Sequence, residues 1–239
     1  MLEGIKGLLF DYGGTIDTDG RHWAHVLWEV YQQAEIPVGY EQFREAYVYG
    51  ERALAKVPIV QPEDTFRDVL QKKVAQQFER LRQQRVWCPA ESERLEALRV
   101  VVAYAYEYAR CHTMKSRAVL QRLKERYPMV LVSNFYGNVE AVLRDFGLDG
   151  YFDAVVESAV VGVRKPDPAI YQMGVERLGM QASEVLVVGD SYNKDMVPAR
   201  QIGCRTIWLK GEGWTDECDD ASCVDITIYN IEDLLAVLL

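Results

Sequence analysis

Met129-Val130-Leu131-Val132 and Val185-Leu186-Val187-Val188 are runs of apolar residues with no polar residue between them. A strand with one face in water alternates polar and apolar side chains. An unbroken apolar run reads as a strand buried on both faces, as in a parallel sheet held between helices. The segment 5–10, with Leu8, Leu9 and Phe10, reads the same way and runs into Asp11 and a Gly13-Gly14 turn. Further strands are expected at 152–156, 204–209 and 226–228. Helices are expected at 116–127, at 139–145 before Gly147, at 168–178 before Gly179, and at 195–202 and 231–239. Strand and helix in alternation predict an α/β fold, a Rossmann-like three-layer α/β/α arrangement around a parallel sheet.

From about residue 21 to residue 112 the pattern is helical instead. Trp23, Val26, Leu27, Val30, Tyr31 and Ala34 follow the spacing of one helix face. A break at 36–39 precedes a second helix at 40–55, and Pro58 and Pro62 mark the next boundary. The third helix presents Phe66, Val69, Leu70, Val74, Phe78 and Leu81 on one side and Lys72, Gln76, Glu79 and Arg82 on a solvated side. A fourth is expected at 90–111, with Leu95, Leu98, Val102, Ala105 and Ala109 inward. The expected organisation is a core domain of residues 1–17 and 113–239, with a helical-bundle domain at 18–112 inserted after the first strand.

Charge narrows the function classes. Twenty-seven Lys and Arg against 36 Asp and Glu give a net charge of −9, which opposes non-specific attraction to nucleic acid or anionic lipid. No run of about 18 apolar residues occurs, so no membrane span is expected. The first residues lack the apolar core of a secretory signal. Five scattered cysteines, Cys88, Cys111, Cys204, Cys218 and Cys223, fit reduced thiols in a cytoplasmic protein better than a disulfide framework. The stretch Glu217-Cys218-Asp219-Asp220 with Cys223 reads as an acidic surface loop and lacks the paired ligands of a zinc site.

In open α/β sheets, ligands bind outside the carboxyl ends of the strands. Polar residues close three of the apolar runs: Asp11, Ser133-Asn134, and Asp190-Ser191 with Asp195 beyond. Lys165 lies in the loop Gly162-Val163-Arg164-Lys165-Pro166. In this order, Phe10-Asp11-Tyr12-Gly13-Gly14-Thr15, Val132-Ser133-Asn134, Lys165-Pro166-Asp167-Pro168 and Gly189-Asp190-Ser191…Asp195 resemble the motifs of the haloacid dehalogenase superfamily. The resemblance covers residues 5–17 and about 115–239, and the insertion looks like that family's helical cap.

The resemblance implies a Mg²⁺-dependent phosphatase acting on a small soluble phosphorylated metabolite, as a monomer or homodimer. Asp11 is then the nucleophile that forms an aspartyl-phosphate. Asp11, Asp190, Asp195 and the backbone carbonyl of Gly13 would hold Mg²⁺, a cation that prefers oxygen ligands. Lys165 and Ser133 would neutralise and orient the phosphoryl oxygens. Gly14, Thr15, Asn134, Tyr12, Arg21 and His22 are the expected substrate contacts.

Gly13 departs from the pattern. Phosphatases of the family carry a second aspartate there, which protonates the leaving oxygen and activates water. A general acid or base contributes about 10²–10⁴-fold. Three readings follow. A good leaving group, or a stand-in among Asp17, Asp19, His22 and His25, supplies the proton transfer. Alternatively the chemistry is phosphonate cleavage, with Lys56 forming a Schiff base, or dehalogenation, whose branch of the family also lacks that aspartate. In the third reading the chain binds metal and phosphate with little turnover. Dehalogenation needs no cation, whereas clustered Asp11, Asp190 and Asp195 make sense when a cation offsets their repulsion. Tyr104, Tyr106 and Tyr108, with Trp23 and Trp28, read as bundle core and could otherwise stack a ring-bearing substrate.

Overall fold

In a computed structural model, residues 4–56, 58–214 and 222–239 are described. The Glu217–Asp220 stretch lies outside them. Six strands form one parallel sheet: β1 (Gly7–Phe10), β2 (Met129–Ser133), β3 (Ala154–Glu157), β4 (Val185–Gly189), β5 (Arg205–Leu209) and β6 (Ile226–Ile228). Their order across the sheet is β3-β2-β1-β4-β5-β6. The chain therefore winds outward from β1 in one direction, returns, and winds outward in the other. The crevice between β1 and β4, where the direction reverses, is where doubly wound sheets bind ligands.

The unbroken apolar runs are explained by burial on both faces. Leu8 and Phe10 of β1, Met129 and Leu131 of β2, and Leu186 and Val188 of β4 enter one apolar cluster. Leu9, Val130, Val132, Val185 and Val187 enter a second on the opposite face. Side chains alternate faces along a strand, so two covered faces require apolar residues at every position.

Four helices follow β1: α1 (Trp23–Gln33), α2 (Tyr40–Lys56), α3 (Phe66–Gln83) and α4 (Glu91–Lys124). The apolar faces of α1 and α3 are buried as their periodicity predicts. Thr65 and Asp68 form a reciprocal capping box that sets the start of α3. The expected break after Cys111 does not occur. Residues 112–115 contain neither glycine nor proline to stop a helix, and α4 runs unbroken for 34 residues from the bundle onto the sheet. Leu95, expected inward, is 51% exposed in the first turns of α4.

The remaining helices are α5 (Val139–Asp145), α6 (Ser158–Val161), α7 (Ala169–Leu178), α8 (Val197–Gln201) and α9 (Asp233–Leu238). A single π-helical turn, Tyr192–Met196, precedes α8 in place of the regular helix expected from 195. Helices α4, α5 and α9 cover one face of the sheet, and α7 and α8 cover the other. No helix among the described residues is long and apolar enough to cross a membrane.

Candidate active site

The loops after β1, β2 and β4, with the segment before α7, converge at the carboxyl edge of the sheet. Asp11 directly follows β1, and its N–H continues the ladder to Val188 of β4 at 2.9 Å. The backbone then turns sharply. Gly14 has φ +99°, and a Cβ there would lie 2.2 Å from Asp190 Oδ2, so no side chain fits. Gly189 makes the corresponding room for Asp195, whose carboxylate would meet a Cβ at 2.6 Å.

Asp11, Asp190 and Asp195 each offer a carboxylate oxygen, and these oxygens lie within 4.8 Å of one another. Lys165 reaches into the group: its Nζ donates to Asp11 Oδ1 at 2.5 Å and to Asp195 Oδ1 at 2.7 Å. Burial opposes the charge of this ammonium, but the two carboxylates overcome it and hold the Lys165 pKa above the ordinary lysine value. Three carboxylates against one ammonium leave an excess of negative charge. Burial, reinforced by Asp11 and Asp195, accordingly pushes Asp190 well above the usual carboxylate range. Burial also raises Asp11, against the pull of Lys165. Such a donor set, all oxygen and under-neutralised, suits a hard divalent cation.

The cluster lines a cavity of about 420 Å³ that also contains Gly13, Gly14, His22, Ser133 and Asn134. Ser133 closes β2, and its hydroxyl makes no hydrogen bond to a described residue, so it is available to a ligand. Gly13 faces open space, with nothing within 4 Å of where a Cβ would be.

Several expected substrate contacts do other work. The Asn134 amide is spent on the Lys165 backbone, accepting from its N–H at 2.9 Å and donating to its carbonyl at 3.1 Å. It positions the lysine. Thr15 is fully buried, and its hydroxyl reaches Asp11 Oδ2 at 3.0 Å and Asp190 Oδ1 at 3.2 Å. Tyr12 does not line the cavity, because side chains alternate along the extended segment. Its ring turns into the core beside Phe135. Arg21 also lies outside the cavity, clamped by Glu29 and Glu212.

Of the possible stand-ins for an acid or base, Asp19 accepts the Ile231 N–H and His25 contacts the Gly213 carbonyl, and neither lines the cavity. Asp17 and His22 do line it. Asp17 accepts from Gly14 N at 2.7 Å and from Trp23 Nε1 at 2.8 Å, and burial raises its pKa to about 7. Burial lowers His22 to about 4, so its imidazole is neutral near pH 7. Lys56 is exposed at the end of α2 and is not among the residues lining the cavity, although its neighbour Ala55 is. Of the aromatic residues weighed as a stacking surface, Trp23 lines the cavity, whereas Tyr104 is exposed and Tyr106 stacks on Phe146.

Other residues of the site escape a linear reading. Tyr171 on α7 is fully buried and donates to Asp195 Oδ1 at 2.6 Å, with Lys165 Nζ 5.2 Å from its ring centre. An aromatic at a core-facing helical position carries no signal of that role. Lys73 and Glu51, from α3 and α2, pair at 2.6 Å and line the cavity. Lys73 has a visible signal: it falls three residues after Leu70, on the apolar stripe of its helix.

A family model described as "haloacid dehalogenase-like hydrolase" matches residues 5–203. The zebrafish (Danio rerio) haloacid dehalogenase-like hydrolase domain-containing protein 3 is 45% identical over 75 residues, 31% of each chain. A glyceraldehyde 3-phosphate phosphatase of Methanocaldococcus jannaschii is 30% identical over 128 residues, 53% of this chain and 55% of its own. The chain thus matches between about a third and about half the length of these relatives. A dehalogenase solved with an intermediate complex superposes with a TM-score of 0.68 at 20% identity, covering 100% of this chain and 99% of the other.

Proposed function

Since the chain belongs to the haloacid dehalogenase-like hydrolases, we propose that it is a Mg²⁺-dependent phosphatase of small phosphorylated metabolites, with Asp11 as nucleophile. The observation that carries this reading is the trio Asp11, Asp190 and Asp195 within 4.8 Å, opposed by the ammonium of Lys165. A halide displacement gains nothing from three crowded carboxylates, whereas a phosphoryl dianion can approach them only with a cation between.

Asp11, Asp190 and Asp195, with the Gly13 carbonyl, would hold Mg²⁺. When bound, the ion would offset their charge and that of the phosphoryl oxygens. The protein's own residues carry the rest. Lys165 neutralises part of the Asp11 charge and, with the Ser133 hydroxyl, meets phosphoryl oxygens. An Asp11 oxygen bonds to phosphorus as the ester P–O bond breaks, and the aspartyl-phosphate is then hydrolysed by water. With glycine at 13, the leaving oxygen takes its proton from cavity water, which favours esters with good leaving groups. The helices at 18–112 act as the cap that limits access of water.

Phosphonate cleavage through a cap Schiff base is disfavoured. Lys56 does not line the cavity, and Glu51 and Tyr136 overcome burial to hold Lys73 as an ammonium, which cannot attack a carbonyl. A second reading, binding with little turnover, rests on Gly13. A phosphate-ester panel assayed with Mg²⁺ and with EDTA separates the two. Mg²⁺-dependent phosphate release, lost in Asp11→Asn by more than about 10³-fold, is the expected result. Calorimetric binding of Mg²⁺ and phosphate without release would support the second reading instead.

A further inference from the structure

The cavity is lined by a second polar group that the phosphoryl chemistry does not use. Lys73 is 8% exposed and lies among the buried positions of α3. Lysine is almost never buried without a partner. Its partner is Glu51 on α2, at 2.6 Å, and the other Glu51 oxygen accepts from the Tyr136 hydroxyl at 2.6 Å. Tyr136 belongs to the loop after β2, and the Lys73 ammonium lies 5.5 Å from its ring centre. The helices come this close because residue 50 is glycine: a Cβ there would lie 3.1 Å from the Lys73 carbonyl oxygen.

His22 lines the same cavity. Its Nδ1 accepts from Ala24 N at 3.1 Å, which leaves Nε2 carrying the proton, and no described residue accepts it. The ring lies 5.1 Å from Trp214 and 6.0 Å from Tyr47, both of which also line the cavity.

We propose that Glu51, Lys73, Tyr136 and His22 bind the leaving group of the substrate, and that this group is a neutral polyhydroxylated chain or ring. The assignment rests on the phosphatase reading above. Ammonium and carboxylate already neutralise each other, so the pair presents directed donors and acceptors but no net charge to a second anion. A hydroxyl is both donor and acceptor and can bridge a Lys73 N–H and a Glu51 lone pair. His22 Nε2–H adds a donor, and Trp214 and Tyr47 add apolar ring atoms to the cavity wall beside the carbon skeleton. A carboxylate on the leaving group would meet Glu51. An alkyl group would desolvate these polar groups without pairing them, which such sites reject strongly.

The test compares kcat/KM, with Mg²⁺ present, for ribose 5-phosphate, phosphoglycolate, butyl phosphate and acetyl phosphate. The last has a leaving group too small to span the cavity and activated enough to need no acid. Wild-type protein should prefer ribose 5-phosphate to butyl phosphate and to phosphoglycolate by tenfold or more. Lys73→Met should lower the ratio of ribose 5-phosphate to acetyl phosphate at least tenfold, chiefly through KM. Because that variant strands Glu51, the double variant Glu51→Gln/Lys73→Met is measured beside it, with circular dichroism and Tm recording that it folds. A wild-type preference for phosphoglycolate or butyl phosphate, or a folded double variant that keeps the wild-type ratio, overturns the assignment. Turnover of acetyl phosphate with no discrimination among the esters sinks this proposal and leaves the phosphatase reading standing. No turnover of any of the four compounds overturns both.

Discussion

At residue 13, glycine separates this chain from the usual phosphatase pattern, and the surrounding space makes the difference testable. Nothing lies within 4 Å of an added Cβ, so Gly13→Asp meets no steric barrier. Restoring an acid and base there should raise turnover of alkyl phosphate esters, up to the about 10²–10⁴-fold such groups supply. Steady-state rates on butyl phosphate check it. Asp17 presents the opposite case, a carboxylate present but hard to ionise. Its pKa rises from 3.8 unfolded to about 7 folded, mainly through burial. The folded state therefore holds a proton that the unfolded state has lost between those values. The resulting stabilisation, roughly 4 kcal/mol at 1.36 kcal/mol per pH unit, is full below pH 4 and disappears as pH rises to 7. Thermal denaturation of Asp17→Asn should move in the variant's favour, relative to wild type, between pH 5 and pH 8. Parallel curves would refute the shift.

Among the elements, α7 shows how packing sets site geometry. It carries Tyr171 against Asp195 and begins just after Lys165. It lies close to the sheet because Gly174 faces β1 and β2: a Cβ there would sit 2.9 Å from Val132 Cγ2 and 3.0 Å from Leu9 Cδ1. Gly174→Ala gains up to about 1 kcal/mol of helix propensity. It forces apart side chains that are both fully buried, an overpacking penalty of about 1–3 kcal/mol. A net loss of about 1–2 kcal/mol is expected in urea denaturation, with turnover reduced as Tyr171 and Lys165 shift. The long helix α4 has a different role. It joins bundle and sheet in one rod, and Ser116 on it donates to the Ile16 carbonyl at 2.7 Å, close behind the loop that carries Asp11.

For the whole molecule, the carboxylate cluster is a local instability within a chain of net charge −9. Mg²⁺ that binds only the folded state stabilises it by about 2.7 kcal/mol at 100 times Kd. Saturating Mg²⁺ should thus raise Tm by several degrees over EDTA. Asp190→Asn should raise the Tm measured in EDTA, by removing a repelled buried carboxylate, and should abolish most of the Mg²⁺ increment. An unchanged increment in the variant would remove Asp190 from the ligand set. Against the overall acidity, exposed Arg52, Arg164 and Lys194 line the cavity and form no ion pair among the described residues, a cationic rim suited to drawing in a phosphate dianion.

Much of this architecture is legible in residue order. Buried parallel strands require unbroken apolar runs, helices require their own period, and Asp11, Ser133, Lys165 and Asp190 stand at the ends or loops those patterns define. Such signals lie between near neighbours in the chain, where backbone geometry links spacing to direction. Which side chains meet across long stretches of chain is a different matter. That Asn134 grips Lys165, that Tyr12 turns inward while His22 faces the cavity, and that Lys73 pairs with Glu51 beside Tyr136 follow from how helices and loops pack. An identical residue type at an identical spacing can bind substrate or hold a neighbour, and only the partner brought to it in space makes the choice.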